Sequence, residues 1–166
     1  KVTKIHQDET GVTVDYVDSN SPDGATKTIR ADWCVCNIPL TVLTQLDINV
    51  SKPMKQAMAA VPYDTSYKVG LEFNRRFWEE DEWIFGGVTY TDMPITQISY
   101  PSQNMFKTGT GVLLGAYGFG ATSYKFNTLT PQERINVALA YGKYIHPQYP
   151  KEFRAGTSVV WHRIPW

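Results

Sequence analysis

Apolar and polar residues alternate with a period of two along much of this chain, the pattern of strands that bury one face. Val69, Leu71 and Phe73 show it most clearly, and they predict a strand opening near Lys68, just after the turn-like run Pro62, Tyr63, Asp64, Thr65 and Ser66. Short strands are also expected over residues 2–5, 12–17 and 26–30. Turn signals at Asp8-Glu9-Thr10-Gly11 and Asn20-Ser21-Pro22-Asp23-Gly24 separate them, which predicts a meander. Residues 31–40 are more continuously apolar and predict a strand buried on both faces and ended by a proline, with Cys34 and Cys36 as small buried side chains. Further strands are expected over 83–90, 95–100, 111–120 and 155–161. Helical signals fall at 41–46, at 52–61 and from Thr130, where Thr130-Pro131-Gln132-Glu133 has the form of a capping box and Pro147 and Pro150 mark the stop.

A meander, a buried strand, helices and then several antiparallel strands predict an α+β (mixed α/β) chain with two sheets, divided somewhere within residues 46–66. With 42% hydrophobic and 19% charged residues in 166, the polymer has enough apolar surface to fold. Its 16 basic and 16 acidic side chains cancel, which leaves no electrostatic footprint for nucleic acid. No apolar run approaches the roughly 18 residues of a membrane span. His6, His146 and His162 are scattered without metal-ligand spacing and read as structural or solvated, and the two cysteines sit too close along one strand to pair. G-x-G-x-x-G, Walker A and H-E-x-x-H patterns are all missing.

Two residues carry candidate chemistry. Lys68 stands at the mouth of a half-buried strand, either as a solvated edge residue or as an amine held in a site. Tyr117 lies among Gly115, Gly118 and Gly120, either as a packed tyrosine or as a phenol placed to donate to an oxyanion or carboxylate; the glycines suggest a backbone that something approaches closely. Glu79, Glu80, Asp81 and Glu82 read as a solvated acidic turn, and Glu72 and Asp92 as carboxylates without partners. Asn49-Val50-Ser51 fits a glycosylation sequon. Lys1-Val2-Thr3-Lys4-Ile5 opens the chain already in strand pattern, and Trp161-His162-Arg163-Ile164-Pro165-Trp166 closes it without a polar tail, so a piece of a longer polypeptide is expected.

The strings themselves resemble those of FAD-dependent amine oxidases. Ala31-Asp32-Trp33-Cys34-Val35-Cys36-Asn37-Ile38-Pro39-Leu40 resembles that family's A-D-x-V-I-x-A-x-P strand, and Lys68 to Phe73 followed by Phe77-Trp78-Glu79 resembles its lysine strand and F-W-E segment. The similarity continues through Gly86-Gly87, Tyr100-Pro101, Ala116-Tyr117-Gly118 and Trp161, and looks closest to the L-amino-acid oxidase branch, including bacterial L-glutamate oxidases whose precursors are cut into several chains. The resemblance implies a fragment of a two-domain flavoenzyme: residues 1–46 from an FAD-binding domain, 47–154 from a substrate-binding domain, and 155–166 a return strand toward the FAD domain. It implies that Lys68 holds a water at the flavin N5, that Tyr117 grips the substrate α-carboxylate, and that Trp161 lies beside the flavin ring. Val2, Ile38 and Pro39 are the implied dinucleotide contacts. The implied cofactor is FAD, and the implied partners are an amino acid, O2 and companion chains that carry the dinucleotide motif, with secretion expected if the L-glutamate oxidase likeness holds. An amine oxidase for polyamines or monoamines, or a non-enzymatic binding domain, are the alternatives.

Overall fold

Both expected sheets form, each with its own core. The computed structural model describes residues 1–164, which divide into a unit of residues 1–63 and a unit of residues 64–164. In the first unit β1 (Val2–Asp8), β2 (Gly11–Val17), β3 (Thr26–Ala31) and the two-residue β4 (Asp47–Ile48) make a sheet of order β3-β2-β1-β4. The first three strands are the expected antiparallel meander, whereas β4 runs parallel to β1. The Asp8 carboxylate accepts from the Thr10 backbone N–H (2.8 Å) and ties down the first turn. Helices α1 (Leu40–Leu43) and α2 (Lys52–Ala60) follow, the second capped by the Ser51 hydroxyl, which accepts from the Met54 N–H. Ile5, Leu43 and Met58 form a small core, with Val2, Val12, Val14 and Ile38 among the side chains packed against it.

Residues 32–39 do not form the buried strand that their apolarity predicts. Only Ala31 is in a strand; the segment after it is irregular, Trp33 is 90% and Val35 96% exposed, and Cys34 and Cys36 are exposed free thiols. A strand buried on both faces needs neighbours on both edges and layers above and below. No strand among the described residues pairs with this one.

In the second unit β5 (Ser66–Phe73), β6 (Gly87–Tyr90), β7 (Gln97–Tyr100), β8 (Gly111–Phe119) and β9 (Phe153–Val160) form an antiparallel sheet of order β6-β7-β8-β5-β9. The period of two works as the sequence requires: Tyr67, Val69, Leu71 and Phe73 on β5 are all buried, and the residues between them are not. Helices α4 (Gly120–Thr128), α5 (Pro131–Gly142) and α6 (Tyr149–Glu152) belong to this unit, and Phe126, Ile135, Ala138 and Tyr149 join the buried face of the sheet. Each large side chain fully buried there contributes about 1.5–3 kcal/mol. Thr130 and Glu133 form a reciprocal capping box at the start of α5.

Other departures have local causes. Residues 83–90 hold only the four-residue β6, because Trp83 and Gly86 take positive φ and break the extended chain before it. Of the acidic run, Glu79 and Glu80 end a short helix, α3 (Phe77–Glu80), and Asp81 and Glu82 form the turn after it, with ion-pair partners rather than solvent alone. Arg75 pairs with Glu80 (3.0 Å), Asp81 (2.7 Å) and Glu152 (3.0 Å), and Arg76 forms a buried pair with Glu79. Glu72 likewise has a partner, Arg154, at 3.6 Å. The first compact unit ends at Tyr63, inside the 46–66 interval, and β9 pairs with β5 in the second sheet. Pro165 and Trp166, the end of the expected return strand, lie outside the described residues.

Candidate active site

Lys68 is not an edge residue. Its strand lies between β8 and β9, and in register it faces Tyr117 on one side and Val159 on the other. Because Tyr67 and Val69 point into the core, Lys68 projects from the opposite, open face of the sheet, half-buried. Its Nζ lies 4.9 Å from the centroid of the Tyr117 ring, a cation–π contact worth about 0.5–1 kcal/mol at exposed sites. Among the described residues no carboxylate comes within ion-pair reach of it.

Tyr117 reaches this face through a break in register. Val69 pairs with Ala116, but Gly70 pairs with Leu114, so β8 carries Gly115 as an extra residue. Gly115 and Ala116 are therefore both buried, and the alternation restarts with Tyr117 facing the open side. The glycines serve the sheet's own packing rather than a ligand. A Cβ on Gly115 would fall 2.9 Å from the Leu71 Cγ, and one on Gly118 2.8 Å from the Tyr67 Cε1. The Tyr117 ring leans on Phe119 (4.7 Å between centroids), and its hydroxyl has no hydrogen-bond partner among the described residues.

A third residue, Thr96, holds the backbone here. Thr96 has φ 55°, a left-handed conformation that costs a non-glycine residue roughly 1–2 kcal/mol and is least natural for a β-branched one. Its N–H donates to the Met93 carbonyl (2.9 Å), its own carbonyl accepts from Thr91 (2.9 Å), and its hydroxyl donates to the Tyr117 carbonyl. The Tyr117 N–H in turn donates to the Ile95 carbonyl (3.3 Å). Nothing in the residue pattern marks Thr96, because its role depends on a backbone angle and a contact between strands.

Trp161 opens a single 3-10 turn directly after β9, where Val160 pairs with Tyr67, and it is half exposed. Lys68, Tyr117 and Trp161 thus gather at one end of the same sheet. Val2, Ile38 and Pro39 belong to the first unit. There Val2 pairs with Tyr16 on β2, Val2 and Ile38 pack on the small core, and exposed Pro39 is the cap of α1.

A separate polar chain crosses the core face. Buried His146 bonds through Nε2 to the Tyr100 hydroxyl (2.6 Å) and through Nδ1 to Glu82 (2.9 Å), and the Tyr100 hydroxyl also meets the Thr89 hydroxyl (2.9 Å). Burial pushes the Tyr100 phenol up, so it remains a donor. Burial likewise pushes Tyr67 up to about 12, and its hydroxyl donates to the Pro94 carbonyl (2.9 Å). Among the described residues, no group of three or more His, Cys, Asp or Glu could hold a metal ion.

The chain belongs to the family of flavin containing amine oxidoreductases, whose model matches residues 1–166. It is similar to an L-amino-acid oxidase of the fish Siganus canaliculatus, 31% identical over 170 residues that span 100% of this chain and 32% of that protein. An L-amino-acid oxidase of the viper Vipera ammodytes ammodytes is 32% identical over 92% of the chain and 30% of its own length. Among solved structures, cyclohexylamine oxidase from Brevibacterium oxydans superposes with a TM-score of 0.71 at 19% identity, over 100% of this chain and 35% of that one. Putrescine oxidase bound to putrescine gives a TM-score of 0.65 at 15% identity over 99% and 35%. These two support the mixed α/β fold with its two sheets. The chain spans about a third of the length of the relatives it matches.

Proposed function

We propose that this chain forms part of an FAD-dependent oxidase that converts an L-amino acid, O2 and water to a 2-oxo acid, ammonia and hydrogen peroxide. L-Glutamate is the candidate substrate. The observation that carries the reading is the cross-strand pair Lys68–Tyr117 on the open face of the second sheet. An amine and a phenol without a hydrogen-bond partner among the described residues stand side by side, with aliphatic Val159 and half-exposed Trp161 next to them. That surface fits a flat ring system with polar edges. Lys68 and Trp161 would contact its redox-active ring; the family likeness by itself assigns dinucleotide contacts to Val2, Ile38 and Pro39.

Bound FAD would supply the acceptor for the hydride leaving the substrate Cα and return the electrons to O2. The protein's part is orientation and electrostatics. Tyr117 would donate its hydroxyl proton to one oxygen of the substrate α-carboxylate, fixing Cα, and Lys68 would hold an ordered water where oxygen is reduced or the imine is attacked. An amine substrate without a carboxylate would leave the Tyr117 hydroxyl with nothing to bind, which favours an amino acid. In this reading the G-x-G-x-x-G motif and a carboxylate-binding arginine come from other segments, of the same or companion chains.

The test uses the full-length protein. Lys68→Met should slow flavin reoxidation or turnover at least about tenfold, read by stopped-flow absorption and peroxide release. Unchanged oxygen kinetics would remove Lys68 from this role, and a colourless protein would remove the cofactor.

A further inference from the structure

We infer that Thr96 is a positioning residue for substrate binding, acting through Tyr117. The inference rests on the reading of Tyr117 as the carboxylate donor. Three independent features converge on the Tyr117 backbone. The β-bulge at Gly115 resets the alternation so that Tyr117 faces the open side of the sheet. Bulges locally weaken the ladder and re-aim side chains, so a bulged strand needs a second restraint to hold one aim. Residues 95 and 96 supply it from both directions: the Ile95 carbonyl accepts from the Tyr117 N–H, and the Thr96 hydroxyl donates to the Tyr117 carbonyl.

The backbone of Thr96 makes the case specific. A β-branched residue in left-handed conformation is a local misfit, and a glycine or asparagine would take the angle more easily. Glycine carries no side-chain donor for the Tyr117 carbonyl, and asparagine would have to reach it with a longer, planar amide in place of the compact hydroxyl. Strain retained at one residue, against easier alternatives and beside the proposed donor, points to the side chain as what is needed there. The two turn bonds from Thr96 to Met93 and Thr91 hold the residue in this conformation without its side chain, which leaves the hydroxyl to meet the Tyr117 carbonyl and the Tyr67 phenol. Lys68 from β5 and Phe119 on the same strand restrain the Tyr117 ring, and the Thr96 bond restrains the peptide beneath it.

The experiment is a double-mutant cycle in the full-length protein, with steady-state kinetics on the preferred L-amino acid. Thr96→Gly relieves the strain and removes the hydroxyl, Thr96→Ser keeps the hydroxyl, and Tyr117→Phe removes the phenol. Thr96→Gly should raise KM about three- to tenfold, with flavin content and Tm at or above the parent value and kcat changed by less than about twofold. Thr96→Ser should restore the parent KM. In the Tyr117→Phe background, Thr96→Gly should add no further rise. A parent-like KM in Thr96→Gly, or an equal rise in both backgrounds, overturns the positioning role while leaving Tyr117 in place. A Tyr117→Phe enzyme with parent KM overturns the carboxylate reading itself, and the positioning role with it.

Discussion

Tyr117→Phe separates binding chemistry from structure unusually cleanly. The phenyl ring that remains keeps its contacts with Phe119 and Lys68, and the hydroxyl that is lost has no protein partner among the described residues. Folding should therefore be indifferent, with Tm unchanged and any stability loss within about 0.5 kcal/mol. Binding should not be indifferent. A hydrogen bond to a charged group contributes about 1.5–3 kcal/mol, so kcat/KM for an L-amino acid should fall roughly 10- to 150-fold. The control is the substrate: for the matching amine, identical but without the carboxylate, parent and variant should have equal kcat/KM. Peroxide release from the two substrates, measured on parent and variant with flavin content matched, gives all four numbers. An equal loss on amino acid and amine would refute the carboxylate contact. So would no loss on either.

Three further substitutions test the second unit's packing. Glu79→Ala strands the buried Arg76 guanidinium and frees the Phe106 N–H, which should cost about 3–5 kcal/mol in urea unfolding; a loss under about 1 kcal/mol would refute the assigned burial. The Arg76 guanidinium holds the Glu79 carboxyl below its usual 4.5, so its contribution is full above that pH and is lost as pH falls through the lowered value; the gap between parent and variant should narrow in acid, and a widening gap would refute the pairing. Tyr100→Phe leaves buried His146 Nε2 and the Thr89 hydroxyl without this partner and should destabilise by about 1–3 kcal/mol, with the His146 imidazole NMR shifts altered. Gly115→Ala drives a methyl into Leu71 and should cost about 1–3 kcal/mol, whereas at Gly70 an added Cβ would meet only the Thr157 Cγ2 at 3.5 Å, an ordinary contact.

Local rules carried the sequence reading furthest where one segment contained the whole signal. The meander turns, the alternation of Val69, Leu71 and Phe73, and the Thr130–Glu133 capping box all depend on neighbours within a few residues, and all are present. The candidate residues Lys68 and Tyr117 were legible as residue types in strand context, helped by family likeness, but their pairing was not. Which residue faces Lys68 depends on a one-residue bulge in a strand more than 40 positions away along the chain, and that register is settled only when Leu71 fills the space beside Gly115. Thr96 was invisible for the same reason, and so was the Glu82–His146–Tyr100 chain, whose members are far apart in sequence.

By itself, then, the sequence determined the elements with strong local period and the face each buries, since hydrophobic alternation and capping act over short range. Residues 32–39 show the opposite limit, an apolar run that stays exposed because apolarity alone does not provide neighbouring strands. Only the tertiary structure decided which side chains share the open face, because strand register and the bulge at Gly115 follow from the packing of the whole second sheet.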